Sequence, residues 1–138
     1  MVVKIFKSTY DEIIKHAEAG YPEEVCGVLI GNNGCITKFK ECRNLNRERA
    51  RDRYELDPHS FKEADDWARL TSMEILGIYH SHPDHTSRPS MFDKEMAWPD
   101  WIYIILSIHH GKYNDGKAWV FHDHDSPFVE ENMELIPD

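Results

Sequence analysis

The apolar positions of this chain fall into short runs of two different periods. Val2 to Phe6 (VVKIF) is a β-rich segment, and Ser8-Thr9 followed by Glu12 has the form of a capping box at the start of a helix. Ile13, Ile14 and Ala17 then make an apolar stripe that Gly20 and Pro22 terminate, so the helix is predicted to end near Ala19. Val25 to Ile30 (VCGVLI) is apolar without interruption, the pattern of a strand buried on both faces. Gly31-Asn32-Asn33-Gly34 supplies a turn into an antiparallel partner over Cys35 to Glu41. Arg43 to Arg53 (RNLNRERARDR) carries charge without period and reads as an exposed loop.

Beyond that loop, Tyr54 to Leu56 is a candidate short strand. Asp57-Pro58 is an N-cap and first-turn pair for a helix running to about Ser72, with Phe61, Ala64, Ala68 and Thr71 on one face. Ile75 to His82 reads as a strand, Ser90 to Ala97 as a short helix stopped by Pro99, and Trp101 to Ile108 as a strong strand. A turn over Gly111 to Gly116 and a strand from Lys117 to Phe121 follow, while Phe128 to Leu135 has no decisive period. Strands and helices mix without regular βαβ alternation, which predicts an α+β domain: a mixed sheet with helices packed on it.

Composition narrows the class. A chain of 138 residues with 41% hydrophobic content can bury one core unaided, so a single domain over residues 1–138 is expected. No apolar stretch is long enough to span a bilayer, and the N-terminus lacks a secretory signal, which favours a soluble cytoplasmic protein. Cys26, Cys35 and Cys42 are odd in number and form no CxxC pair, so they read as reduced thiols rather than as a disulfide framework or thiolate cluster. A formal charge of -9 leaves no broad basic footprint, arguing against nucleic acid and anionic membrane as partners.

The chemistry concentrates in His80 to Asp93 (HSHPDHTSRPSMFD). Side chains alternate along a strand, so His80 and His82 point to one face and can meet one ion. Asp93, from the next element, makes a third ligand, and three protein ligands plus a water describe a catalytic zinc site. A general base is still needed. Glu23 and Glu24 open the buried strand, and the small residues Cys26 and Gly27 after them permit close approach of a metal-bearing strand. Ser90 is placed to donate to a developing oxyanion.

These residues resemble the JAMM, or MPN+, metalloprotease family. Its signature is an upstream Glu, then H-x-H-P, with seven residues from the second His to a Ser and two more to an Asp; each spacing is met here. PEEVCGVLIG at Pro22 to Gly31 resembles the strand of the family's catalytic glutamate. The resemblance maps the base onto Glu24, the Zn2+ ligands onto His80, His82 and Asp93, and the oxyanion-supporting residue onto Ser90. It implies a cytidine-deaminase-like MPN fold, a curved and largely antiparallel mixed sheet flanked by helices. YELDP, GIYHSHP and a later aromatic-rich strand place it nearest the compact bacterial members. Trp98-Pro99-Asp100 leads almost directly into the next strand, with no insertion of the kind that grips ubiquitin. The implied activity is hydrolysis after the C-terminal Gly-Gly of a ubiquitin-fold sulfur carrier, ThiS- or MoaD-like. A non-catalytic module that binds a ubiquitin-like partner is the alternative.

Plainer readings stand beside these. Ser90 and Asp93 also form a capping box, and capping would hold Asp93 in place. Cys26 fits a small buried side chain better than a nucleophile. His122-Asp123-His124 reads as a solvated turn, and His85, His109 and His110 as surface residues. The four tryptophans are expected in the core or on sheet faces. Arg51, Arg53 and Arg88 are solvated or, in one case, available to hold a substrate carboxylate.

Overall fold

The structure, a computed structural model, describes residues 1–138. Seven strands and three helices follow in the order β1 (Val2–Phe6), α1 (Lys7–Gly20), β2 (Cys26–Asn32), β3 (Cys35–Cys42), α2 (Pro58–Leu70), β4 (Glu74–Pro83), α3 (Met91–Met96), β5 (Ile102–His109), β6 (Lys112–Val120) and β7 (Val129–Ile136). The expected mixed sheet is present, and its curvature runs to closure. The strands form a barrel in the order β1-β3-β2-β4-β5-β6-β7, with β7 returning to β1 in parallel.

Alternation along the strands builds two apolar layers. Leu29, Tyr79, Ile104 and Leu106 pack with Tyr10, Ile13 and Ala17 of α1 on one face. Cys26, Val28, Ile30, Ile78, Tyr103 and Ile105 pack with Ala64 and Ala68 of α2 on the other. This explains why β2 is apolar throughout: both of its faces are covered. No helix is long and apolar enough to cross a membrane.

The strands β4 and β5 are parallel neighbours. A parallel pair cannot be closed by a hairpin, so the chain must cross over between them. That crossover carries α3 past the end of β4 and delivers residues 84–101 to the edge where the histidines stand.

Several sequence expectations are corrected. Ser8 and Thr9 do not cap α1: the helix starts at Lys7, Phe6 makes no side-chain cap, and the Thr9 hydroxyl donates instead to the Thr37 carbonyl at 2.7 Å. The 111–116 turn is much tighter, with positive φ at His110 and Gly111, and residues from Lys112 onward already belong to β6. Tyr54 to Leu56 forms only a single bridge, Leu56 to Asn44. Phe128 to Leu135 is largely β7, whose mostly exposed pattern hid its pairing with β1 and β6. Trp98 is 64% exposed rather than in a core or on a covered sheet face. The expected α2 cap is present, with Asp57 Oδ1 accepting from the His59 amide at 3.1 Å.

Candidate metal centre

β4 presents Ile78, His80 and His82 on the face shared with Cys26 and Val28 of β2. Cys26 pairs with His80 across the antiparallel ladder. Beyond that pair the Ser81 amide donates to the Val25 carbonyl at 3.1 Å, and the Val25 amide donates to Ser81 Oγ at 2.9 Å. These two bonds extend the alignment, so Glu24 stands opposite His82. Glu24 is itself held by its backbone: its amide donates to the Ala50 carbonyl at 2.6 Å, and its carbonyl accepts from Asn44 Nδ2 at 3.1 Å. The 43–53 segment is therefore only partly the exposed loop expected from its composition. Ala50 is buried, and the segment folds over the start of β2.

Asp93 arrives from α3 through the capping box read from the sequence. Ser90 Oγ accepts from the Asp93 amide at 3.0 Å, and Asp93 Oδ2 accepts from the Ser90 amide at 2.8 Å. The same Oδ2 lies 3.2 Å from His80 Nε2 and 3.0 Å from His82 Nε2, while the two Nε2 atoms are 3.2 Å apart. Donor atoms sharing a tetrahedral ion at the usual bond lengths stand about 3.3 to 3.6 Å apart. The triangle is within a few tenths of an ångström of that spacing.

Proton bookkeeping points the same way. His82 Nδ1 is 2.7 Å from the Thr86 carbonyl, which can only accept, so Nδ1 carries the proton and Nε2 presents a lone pair. Asp93 Oδ2 likewise presents lone pairs. Burial lowers the pKa of His80, with Asp93 opposing, and so favours a neutral ring there too. Burial works against ionised Asp93, yet the adjacent His80 and His82 rings outweigh it and hold its carboxyl well below the usual range. Lone pairs converging in a buried pocket are stabilised by a cation among them.

Glu24 stands further back. Its carboxylate and the two imidazoles lie within 4.8 Å of one another, and they form a group able to bind a metal ion. Asp93 Oδ2 makes the shorter contacts with both imidazoles, at 3.2 and 3.0 Å. Glu24 Oε1 is buried without a hydrogen-bond partner, as is His80 Nδ1. Burial, with help from Asp93 and Asp52, pushes the Glu24 carboxyl up to about 9. A nearby dication would offset that cost and favour the ionised form.

The site opens into a cleft of about 740 Å³ lined by Glu24, His82 and Ser90 together with arginines and imidazoles. Ser90 is exposed to this cleft and keeps its hydroxyl proton free, because Oγ serves as an acceptor in the cap. Sequence reasoning missed several supporting groups. Tyr54 stacks on the His80 ring at 4.4 Å between centroids, and Arg49 and Phe92 join the cleft. Neither periodicity nor motif spacing marks them. Cys26 and Cys42 are free, buried thiols; burial raises the Cys26 pKa and pushes that of Cys42 up to about 12, which keeps both protonated. His122 is exposed, and it pairs with Asp100 at 2.8 Å rather than with His124.

The chain is similar to several known proteins. The desampylase of Haloferax volcanii is 36% identical over 104 residues, covering 70% of this chain and 74% of that protein. The CysO-cysteine peptidase of Mycobacterium tuberculosis is 30% identical over 109 residues, covering 77% of this chain and 73% of that protein. The tail tip assembly protein K of Escherichia phage N15 is 38% identical over 88 residues, 64% of this chain, and the match spans only 33% of that protein's length. A Desulfitobacterium hafniense protein solved in solution superposes with a TM-score of 0.86 at 28% identity, covering 100% of this chain and 94% of that one. The family model of prokaryotic homologs of the JAB domain matches residues 6–122, and the chain belongs to that family.

Proposed function

We propose that the chain acts as a single-domain, zinc-dependent JAMM-type peptidase that hydrolyses the bond after the C-terminal Gly-Gly of a ubiquitin-fold sulfur carrier of the ThiS or MoaD kind. The observation that carries the reading is the buried, unpartnered Glu24 carboxyl facing the lone-pair triangle of His80, His82 and Asp93. The desampylase and CysO-cysteine peptidase among the relatives support a ubiquitin-like or sulfur-carrier substrate.

In this mechanism His80, His82 and Asp93 would hold the ion, and zinc there would supply Lewis acidity, which makes water a usable nucleophile near neutral pH. Glu24 accepts a proton from the attacking water as the oxygen adds to the carbonyl carbon, then returns it to the leaving nitrogen as the C–N bond breaks. The products are a carboxylate on the carrier and a free amine on the fragment. Ser90 donates a hydrogen bond from its hydroxyl to the carbonyl oxygen as charge develops there. Thr86 keeps His82 in the correct tautomer, and the Tyr54 ring shields His80 from solvent.

The test is cleavage of a ThiS-like carrier extended by one residue after Gly-Gly, followed by mass spectrometry, with zinc-loaded wild-type protein. Release of the single residue is expected. A zinc-loaded protein that binds the carrier yet never cleaves it would overturn the peptidase reading in favour of a binding module.

A further inference from the structure

Under the proposed function, the face of β4 places three environments in a line. Ile78 borders an apolar hollow with Tyr54, Phe61, Trp98 and Trp101; His80 and His82 form the metal triangle; and past His82 the polar cleft begins. An extended chain crossing the triangle would leave its short end in that polar cleft.

The cleft sets three arginines against three acids, in a chain whose formal charge is -9. Arg49, Arg53 and Arg88 line it. Its acids are largely committed. Asp52 accepts from Arg49 Nε at 2.9 Å, Asp84 accepts from the Tyr21 hydroxyl at 2.6 Å and the His110 amide at 2.8 Å, and Glu24 faces the metal triangle. No carboxylate lies within ion-pair distance of Arg53 or Arg88. Arg53 is also positioned: it is half-buried, its guanidinium carbon sits 4.4 Å from the centroid of the Phe92 ring, and its carbonyl accepts from Asn44 Nδ2 at 3.1 Å. Phe92 lies between Ser90 and Asp93, so the guanidinium is tied to the element that carries the site. A stacked guanidinium with free N–H edges is suited to a planar carboxylate.

We infer that Arg53 is a specificity residue that receives the free α-carboxylate of the leaving fragment, so that the enzyme favours a linear C-terminal extension of one or two residues over an isopeptide-linked lysine. Such an extension keeps its carboxylate a few bonds from the scissile nitrogen. A lysine side chain linked through its amine, within a folded protein, brings none. Arg88, without a stacking partner, adds long-range attraction.

Two measurements test this. First, the zinc-loaded protein is given the carrier extended by one residue as the free acid or as the C-terminal amide. Wild type is expected to show a KM about tenfold lower for the acid, the scale of a charge-assisted hydrogen bond. Arg53→Gln brings the acid-to-amide ratio near one, Arg53→Lys restores part of the preference, and Arg69→Gln on the outer face of α2 keeps the wild-type ratio. Second, metal-free protein is titrated with acetyl-Gly-Gly-Ala as acid or amide while the Arg53 Nε–Hε resonance is followed by NMR; the acid shifts it and the amide does not. Equal KM values for acid and amide, or an identical response of the resonance to both peptides, would overturn the assignment. If the carrier were not cleaved at all while the acid alone moved the Arg53 signal, the peptidase reading would fail and carboxylate recognition would stand.

Discussion

Glu24 and His82 face each other across the end of the β2–β4 ladder, two residues past the Cys26–His80 pair, with Val25 and Ser81 hydrogen-bonded between them. His80 Nε2, His82 Nε2 and Asp93 Oδ2 converge within 3.2 Å of one another. The Glu24 carboxyl, outside that triangle, is left buried with Oε1 unpartnered. Its role can therefore be separated experimentally from metal binding.

Glu24→Gln is expected to lower the cleavage rate about 100- to 10,000-fold, the range of a lost general base, because the amide is close in size but cannot carry the proton. His80, His82 and Asp93 remain, so zinc content measured by elemental analysis should stay near one per chain. Wild-type rates in this variant would remove Glu24 from the mechanism.

Metal and stability are coupled through Asp93. Adding zinc to metal-free protein should raise the melting temperature, since the ion binds the assembled triangle and not the unfolded chain. Asp93→Ala removes one corner and should abolish both that shift and the activity that zinc restores after chelation. Differential scanning fluorimetry with and without zinc reads both arms.

The metal-free protein should lose stability as pH rises. Burial raises the Glu24 carboxyl from an ordinary 4.5 to about 9, so between those values the folded state holds a proton that the unfolded state has released. Stability falls wherever the folded state binds more protons, so this contribution is complete below about pH 4.5 and is lost as pH climbs through about 9. Urea titrations at several pH values should show a smaller alkaline decline in Glu24→Gln.

Ser90 has two jobs that substitution can split. Ser90→Ala loses the cap that the Asp93 amide donates to and should cost about 1 kcal/mol, whereas Ser90→Gly should cost only a few tenths. Both lack the hydroxyl, so both should lose about 100- to 1,000-fold in rate if Ser90 supports the oxyanion. Rates that followed stability instead would leave Ser90 as a cap alone.

Gly27 permits the close approach of β2 and β4. A Cβ there would strike the Tyr79 ring and the Lys40 carbonyl. Gly27→Ala should destabilise the fold by about 1 to 3 kcal/mol, as overpacking does, and loosen the alignment of Glu24 with His82. Denaturant midpoints and zinc affinity measured on the same variant check the two effects.

What the sequence by itself determined is local. The period of two put His80 and His82 on one face, the S-x-x-D spacing produced the cap that holds Asp93, and the unbroken apolar run of β2 marked a strand covered on both sides. These depend on neighbours a few residues apart, whose relative positions the backbone sets. Tertiary structure decided the rest. Which residue ahead of β2 stands across from His82 depends on a hydrogen-bond register between strands more than forty residues apart in the chain, and continuing that register places Glu24 there. The highly charged 43–53 segment looked purely solvated because composition does not reveal that Ala50 and Asn44 bond the Glu24 backbone. The weakly patterned last strand acquired its role only by closing the barrel against β1. The cleft, with Arg53 stacked on Phe92, exists only once the crossover between parallel β4 and β5 brings α3 and the 43–53 segment together, because a long-range contact has no signature in the local pattern of either partner.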